Sequence, residues 1–171
     1  LVLRKAAKAD YKDFDTSTNA PEAIVVGDIG ETWDYPLLNG LMNQLLDGAK
    51  LVALHKGRYF QTKNGLTLDS GAFVAALEHA SETKAFVVGK PEAAFFELAT
   101  QGLEGQPHQI AMVGDDLIND IGGAQKMKYQ TFLVKTGKFR SILYNKSEIR
   151  PNHLIENIGN LKEYIDKKGL I

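Results

Sequence analysis

The amino-acid sequence predicts an α/β protein in which short buried strands alternate with amphipathic helices. Short apolar runs at 23–26 and 110–113 each end at a glycine, which is typical of buried parallel strands. Between such runs, apolar residues recur three and four positions apart, which is the spacing of one helix face. Strands and helices that alternate in this way favour a layer of helices packed on a parallel sheet.

The first part of the chain is predicted to form a small α/β unit. Leucines and one methionine recur at helical spacing between 37 and 46, and Gly48 follows them as a helix stop. Asn64 and Gly65 stand between two extended segments, which is a hairpin signal. In order, the predicted elements are a polar loop at 8–19, a strand at 23–26, a helix at 37–46, and strands at 51–54 and 58–60.

The pattern changes near Gly71, and we place a boundary there between residues 1–70 and residues 71–171. Beyond it, helix-spaced apolar residues and short apolar runs alternate again. In order, the predicted elements are a helix at 73–80, a strand at 85–88, a helix at 92–103, a strand at 110–113, a helix at 117–125, strands at 131–134 and 153–155, and a helix at 160–165.

The charge balance and composition exclude several classes of protein. The 171 residues carry 20 Lys+Arg against 21 Asp+Glu, so the positive excess of a nucleic-acid surface is missing. No apolar run approaches the ~20 residues that a membrane-spanning helix needs. The chain has no cysteine, which excludes disulfides and thiolate chemistry and fits a cytoplasmic protein.

A cluster of carboxylates follows one buried strand. Asp115, Asp116 and Asp120 come after the run 110–113 and Gly114. In open α/β sheets, ligand sites lie just beyond the carboxyl ends of the strands. Oxygen ligands without cysteine or a nearby histidine favour a hard cation, Mg²⁺ before Zn²⁺. The alternative interpretation is that one of the adjacent aspartates caps the following helix while the other is solvated.

A single lysine has a similar position after another strand. Lys90 follows an apolar run and Gly89, and Pro91 comes next as a favoured opening residue for a helix. A lysine fixed beside carboxylates can neutralise a phosphoryl group or hold an anionic nucleophile. Taken alone, the segment favours a solvated surface lysine.

Together, these two segments resemble motifs three and four of the haloacid dehalogenase-like hydrolase superfamily. The motifs are Gly89-Lys90-Pro91 and the acidic run 114–120, and the similarity continues through 121–125 and 133–138. The pattern is similar to the subgroup with a large C2-type cap. The resemblance implies that residues 1–70 hold an α/β cap and that residues 71–171 form the C-terminal half of a Rossmann-like core.

The resemblance also implies a Mg²⁺-dependent phosphatase that acts on a small phosphorylated compound through an aspartyl-phosphate. In this chain, Asp115 would ligate the Mg²⁺, with Asp116 as a second candidate ligand. Lys90 would hold the nucleophile and the phosphoryl group, and Asp120 would orient the site and pair with Lys90.

The N-terminal nucleophile motif of the family, Asp-x-Asp-Gly-Thr, has no counterpart in this sequence. Asp13 and Asp15 have the right spacing, but Thr16 and Ser17 follow them and no buried strand precedes them. Because the chain begins with Leu1 rather than Met, we expect the motif to lie upstream. The competing hypothesis is a non-catalytic fragment or pseudoenzyme that serves as a binding or dimerisation module.

The cap carries a group of basic residues where some relatives have an Asn-Pro-Asp-like turn. His55 and Arg58, with Lys56 between them, are candidates for binding the anionic substrate. The alternative is a solvated rim of the hairpin. A second basic run, 135–140, could add positive potential near the carboxylates or form a solvated loop. The resemblance further implies a homodimer formed through the cap.

Overall fold

The computed structural model describes residues 1–16 and 19–170, which divide into two compact units, Leu1–Gly89 and Lys90–Ile171. The strands are β1 (Ala23–Val26), β2 (Lys50–Ala53), β3 (Tyr59–Thr62), β4 (Gly65–Leu68), β5 (Phe86–Val87), β6 (Ala111–Gly114), β7 (Gln130–Val134) and β8 (His153–Ile155). The α-helices are α1 (Lys5–Lys8), α2 (Tyr35–Leu46), α3 (Ser70–Ser81), α4 (Ala93–Ala99), α5 (Gly123–Lys126), α6 (Ser141–Lys146) and α7 (Leu161–Lys168).

The first unit is built on a parallel sheet with the strand order β1-β2-β5. Burial alternates along β1 and β2, so that Ile24, Val26 and Leu51 point into the core and are at most 3% exposed. Helices α2 and α3 contribute Leu45 and Leu77 to the same core. The apolar runs therefore become core strands as the sequence predicts, because a side chain on every second position faces the helices.

Helix α2 begins and ends where its sequence signals lie. The Asp34 side chain caps it by accepting a hydrogen bond from the Leu37 amide at 2.8 Å. Leu41 and Leu45 are buried, whereas Leu46, at the end of the predicted stripe, is 59% exposed. The chain turns away at Gly48, whose φ of +106° lies in the left-handed region that favours glycine.

The predicted hairpin forms from β3 and β4, which pair antiparallel. Thr62 lies opposite Gly65, so that Lys63 and Asn64 make the two-residue turn. Leu66 and Leu68 alternate on one face of β4 and remain 54% and 64% exposed. Among the described residues this two-stranded sheet gains no third strand, which leaves an apolar face uncovered.

The second unit holds a second parallel sheet, with the strand order β6-β7-β8. The middle strand β7 is buried on both faces, and Leu133 has no exposed surface. Its one buried hydroxyl, that of Thr131, donates to Asn152 Oδ1 at 2.8 Å, and the Thr131 amide donates to the same oxygen. The side chain of Asn152 thereby satisfies a polar group that burial would otherwise penalise.

Several predicted elements differ from the observed ones. The helix predicted at 92–103 is shorter in the structure, because α4 ends at Ala99. The hydroxyl of the next residue, Thr100, donates to the Phe96 carbonyl. Pro91 lies before the cap residue Glu92 rather than inside the first turn. The helix predicted at 117–125 divides into a π-helical turn, Leu117–Gly122, and α5.

The predicted polar loop at 8–19 is partly helical, since a 3₁₀ turn at Ala9–Tyr11 continues α1. Ser17 and Thr18, which belong to the same predicted loop, lie outside the described residues. The boundary between cap and core that we place at 70–71 stays a prediction. In the structure, β5 pairs with β2, so the sheet of the first unit includes residues beyond that boundary.

No helix in the described part of the chain is long and apolar enough to cross a membrane.

The packing of α7 on the second sheet predicts a pH-dependent stability. His153 on β8 stacks on Phe132 with ring centroids 4.4 Å apart, and its Nδ1 lies 3.3 Å from the Tyr164 hydroxyl on α7. Burial, and then the positive charge of Lys168, lower the pKa of His153. The native state therefore favours the neutral imidazole, and the unfolded state binds more protons once the pH falls below about 6.5.

Stability should be retained above the ordinary histidine pKa and lost as the pH falls through the lowered native pKa. Urea unfolding of the wild type and of His153→Gln, measured between pH 7.5 and 5, tests this. We expect the wild type to lose more of its free energy of unfolding than the variant over this range. Equal losses in the two proteins would contradict the assignment to His153.

Candidate active site

The acidic run at the end of β6 forms a π-helical turn, Leu117–Gly122. Asp116 is its cap residue: Oδ1 accepts the amides of Ile118 and Asn119 at 3.1 and 3.0 Å. Its other oxygen, Oδ2, accepts the side-chain amide of Asn119 at 2.9 Å and lies 3.3 Å from Lys138 Nζ. The Ile121 amide reaches back to the Asp116 carbonyl, five residues earlier, which is the π-type hydrogen bond.

The surroundings of Asp116 keep its carboxyl group ionised. Burial raises its pKa, but the hydrogen bonds from Asn119 and the charge of Lys138 outweigh that effect. The pKa of Asp116 consequently lies below its ordinary value. Of the two interpretations that the sequence leaves open, helix capping therefore describes Asp116. With both oxygens occupied by donors, this carboxylate has little capacity left for a metal ion.

Asp120 points back from the turn toward the end of β6 and is only 4% exposed. Its Oδ1 accepts a hydrogen bond from Lys90 Nζ at 2.7 Å, and its Oδ2 accepts the Asp116 amide at 3.1 Å. A Cβ at Gly114 would lie 2.6 Å from the Cβ of Asp120, closer than real atoms approach. Position 114 therefore needs glycine because the aspartate side chain occupies that space.

Lys90 is positioned by two neighbours of different kinds. Its ammonium forms the ion pair with Asp120 and lies 5.5 Å from the ring centroid of Phe95 on α4. The lysine side chain is 35% exposed, in contrast to the 6% of its carboxylate partner. Lys90 is thus anchored at one end of a buried pair and still accessible to an anion.

Asp115 comes directly before the cap residue and is half-buried. Its Oδ2 accepts the backbone amide of Lys138 at 2.7 Å. No hydrogen bond to Oδ1 occurs within the described residues. Of the two adjacent aspartates, Asp115 is the one whose carboxylate remains available.

The structure brings Lys90, Asp115, Asp116 and Asp120 together in the second unit, as expected for one site. Among residues 1–16 and 19–170, no three acidic, histidine or cysteine side chains gather closely enough to enclose a metal. The fit to Mg²⁺ is therefore partial. Asp115 offers the hard oxygen donor that this ion prefers, without a complete ligand set.

The basic residues His55 and Arg58 belong to the first unit. His55 Nε2 lies 3.3 Å from the Ser70 hydroxyl and 3.7 Å from Asp69 Oδ1, at the start of α3. Lys56, between them, forms an ion pair with Glu78 at 2.6 Å. Arg58 is exposed, with its guanidinium 5.6 Å from the ring centroid of Tyr59. Their assignment to substrate binding stays a prediction.

Sequence reasoning did not identify three parts of the site. The basic run 135–140 suggests positive potential, but the contact of the Lys138 amide with Asp115 has no signature in the sequence. The Asn119 amide, which fixes Asp116, stands inside a predicted helix. The structure shows that Gly114 is needed because the Asp120 side chain fills the space beside it. In the sequence, the only indication of this is a glycine directly before the carboxylate cluster.

The second unit thus holds a lysine–aspartate pair and an accessible carboxylate near the carboxyl end of β6, which is where open α/β sheets bind ligands. Comparison with known proteins identifies the class of protein. A family model described as HAD-hydrolase-like matches residues 87–161. The chain belongs to the haloacid dehalogenase-like hydrolase superfamily, and the resemblance predicted from its motifs is confirmed.

Two curated relatives match almost the whole chain. Human haloacid dehalogenase-like hydrolase domain-containing protein 2 is 47% identical over 96% of this chain and 63% of its own length. Human phospholysine phosphohistidine inorganic pyrophosphate phosphatase is 35% identical over 98% of this chain and 63% of its own length. This chain thus spans somewhat less than two thirds of the relatives that it matches.

A solved structure supports the same fold. The glycerol phosphate phosphatase from Mycobacterium tuberculosis, solved in complex with magnesium, is 29% identical and superposes with a TM-score of 0.68. The match covers 80% of this chain and 41% of that protein. The predicted α/β fold class with a haloacid dehalogenase-like architecture is therefore confirmed.

Two of the lysine ion pairs in the second unit, Lys90–Asp120 and Lys135–Glu156, provide a matched prediction. The side chains of Lys90 and Lys135 are both 35% exposed, but the side chain of Asp120 is 6% exposed whereas that of Glu156, the partner of Lys135, is 70% exposed. Lys90→Met should lower the free energy of unfolding by about 2–3 kcal/mol, because it leaves a buried carboxylate without its cation; fully buried pairs lose about 3–5 kcal/mol.

Lys135→Met should cost less than about 1 kcal/mol, since its partner remains solvated. Equilibrium unfolding of both variants in guanidinium chloride measures the difference. Equal costs would show that Asp120 is not held as a buried charge.

Proposed function

We propose that the protein is a Mg²⁺-dependent phosphatase that hydrolyses a small phosphorylated compound through an aspartyl-phosphate. The observation that carries the proposal is the 2.7 Å ion pair between Lys90 and the buried Asp120, next to Asp115 at the carboxyl end of β6. Two further findings support it. One relative is named as a phosphatase, and a related phosphatase was solved with magnesium.

Each side chain has a role that its surroundings favour. Lys90 is accessible and cationic, so it can bind the phosphoryl oxygens and balance charge that develops during transfer. Asp120 fixes the position of the Lys90 ammonium through their ion pair. Asp115 supplies an oxygen ligand for Mg²⁺, and the bound ion would supply charge neutralisation at the phosphoryl group. Asp116 is left out of the metal shell in this proposal because it caps the turn.

The attacking carboxylate is the part that the described residues do not provide. Asp13 and Asp15 have the spacing of the family motif, but they follow a 3₁₀ turn rather than a buried strand. We propose that the nucleophile belongs to sequence outside these 171 residues. Without it, the alternative function is that of a non-catalytic fragment or pseudoenzyme that serves as a binding or dimerisation module through its cap.

The test compares the complete natural protein with the 171-residue chain in hydrolysis of an aryl phosphate with Mg²⁺. We expect activity in the complete protein and none in the chain alone. Asp115→Asn should reduce kcat/KM by at least about 100-fold, because a metal ligand is lost. Glu163→Gln, an exposed acid on α7, is the matched control and should leave activity unchanged.

Turnover by the isolated chain would overturn the assignment of the nucleophile. Full Mg²⁺-dependent activity in Asp115→Asn would overturn the metal assignment. A complete protein that binds phosphate but shows no turnover would favour the non-catalytic alternative.

We also propose that the first unit mediates homodimer formation through the hairpin β3–β4. Leu66 and Leu68 form an exposed apolar face on a two-stranded sheet, and such a face is stabilised when a second surface covers it. A second copy of the same hairpin provides a self-complementary partner.

Leu68→Asp should weaken the dimer at least about tenfold, since a charge would enter an apolar contact. Leu46→Asp on α2 is the matched control, because Leu46 is 59% exposed against 64% for Leu68. Sedimentation velocity over a concentration series gives the dissociation constants. A monomeric wild type, or equal weakening in both variants, would contradict the hairpin interface.

A further inference from the structure

We propose that Lys138 is a positioning residue that orients Asp115 through its backbone and neutralises Asp116 through its side chain. The inference rests on the proposed function, in which Asp115 is the metal ligand. It concerns a loop that lies more than 20 residues further along the chain, after the end of β7.

The backbone contact is the first part of the argument. The Lys138 amide donates to Asp115 Oδ2 at 2.7 Å, a short hydrogen bond for an N–H donor and a carboxylate. The preceding residue, Gly137, has a φ of +51°, and a Cβ at that position would overlap the same Asp115 oxygen. The loop thus approaches the carboxylate so closely that only glycine fits beside the donor.

The side-chain contact is the second part. Lys138 Nζ lies 3.3 Å from Asp116 Oδ2, and the two side chains are 26% and 18% exposed. Asp115 and Asp116 are adjacent carboxylates, so their charges repel each other unless one is balanced. The ammonium balances Asp116, which is already held by its cap hydrogen bonds, and leaves the charge of Asp115 for an incoming cation.

These two contacts have a common effect on the site. A carboxylate that is oriented before the metal arrives loses less conformational freedom when it binds, so the residue that orients it raises metal affinity. Lys138 does not need to touch the metal or the substrate for this effect. Its backbone amide and its ammonium act on different aspartates, so that their contributions can be separated by substitution.

The experiment measures Mn²⁺ binding to the complete natural protein by electron paramagnetic resonance, with four variants. Gly137→Ala should weaken Mn²⁺ binding about tenfold or more, because the new Cβ displaces the Asp115 carboxylate. Gly169→Ala is the matched control: Gly169 has a φ of +61° but nothing within 4 Å of an added Cβ, so affinity should be unchanged. Lys138→Met keeps the amide and should change affinity by less than about fivefold. Asp115→Ala should abolish binding.

A second measurement does not depend on metal or on the stability of Gly137→Ala. Amide hydrogen exchange, followed by NMR without metal, should show the Lys138 amide protected in the wild type. In Asp115→Ala its protection should fall at least about tenfold, while the amides of β7 keep theirs.

The outcomes separate the two proposals. Unchanged Mn²⁺ affinity in Asp115→Ala would overturn the proposed metal ligand. Loss of affinity in Asp115→Ala together with normal affinity in Gly137→Ala would overturn the positioning role alone. If hydrogen exchange at the Lys138 amide is the same in Asp115→Ala as in the wild type, the positioning role is also overturned. The same holds if Lys138→Met loses as much Mn²⁺ affinity as Gly137→Ala.

Discussion

The buried charge of Asp120 is the constraint on which the rest of the candidate site depends. A carboxylate that is 4% exposed is stable in ionised form only if donors surround it. Lys90 and the Asp116 amide provide them, and both must therefore lie within hydrogen-bond distance of one side chain. The Lys90 ammonium is therefore held at Asp120, and the acidic run forms a π-helical turn that brings the Asp116 amide to the same side chain. Position 114 needs glycine because the Asp120 side chain occupies the space of a Cβ there.

The turn built around Asp120 separates the roles of two neighbouring aspartates. In the π turn, the backbone amides of Ile118 and Asn119 donate to the Asp116 carboxylate, so one of its oxygens is already occupied by two hydrogen bonds. Asp115 precedes the turn and faces the loop that contains Lys138. These two adjacent aspartates therefore differ in which donors reach their carboxylates, although their side chains are chemically identical.

The sequence predicts those elements of the structure that depend on a periodic pattern of apolar residues or on local signals. Alternation in 23–26 and the stripe in 37–46 predict β1 and α2, because burial follows the period of each element. Tertiary contacts decide the remainder. The hydroxyl of Thr100 bonds back to the Phe96 carbonyl where α4 ends, and the π-helical turn at 117–122 contains the buried Asp120; the periodicity of the sequence records neither feature. The contact of the Lys138 amide with Asp115 cannot be predicted from the sequence either, since every residue except proline has a backbone N–H.

The charges of the cluster give the site an electrostatic preference. The side chains of Asp115, Asp116 and Asp120 contribute three negative charges, and those of Lys90 and Lys138 contribute two positive ones, so the described groups sum to minus one. A dianion that approaches this surplus is repelled, whereas a dication is attracted. Once a dication is bound, the sum becomes plus one and the sign of the field reverses. Under the proposed function, the charges of these described residues favour binding of the cation before the phosphorylated molecule.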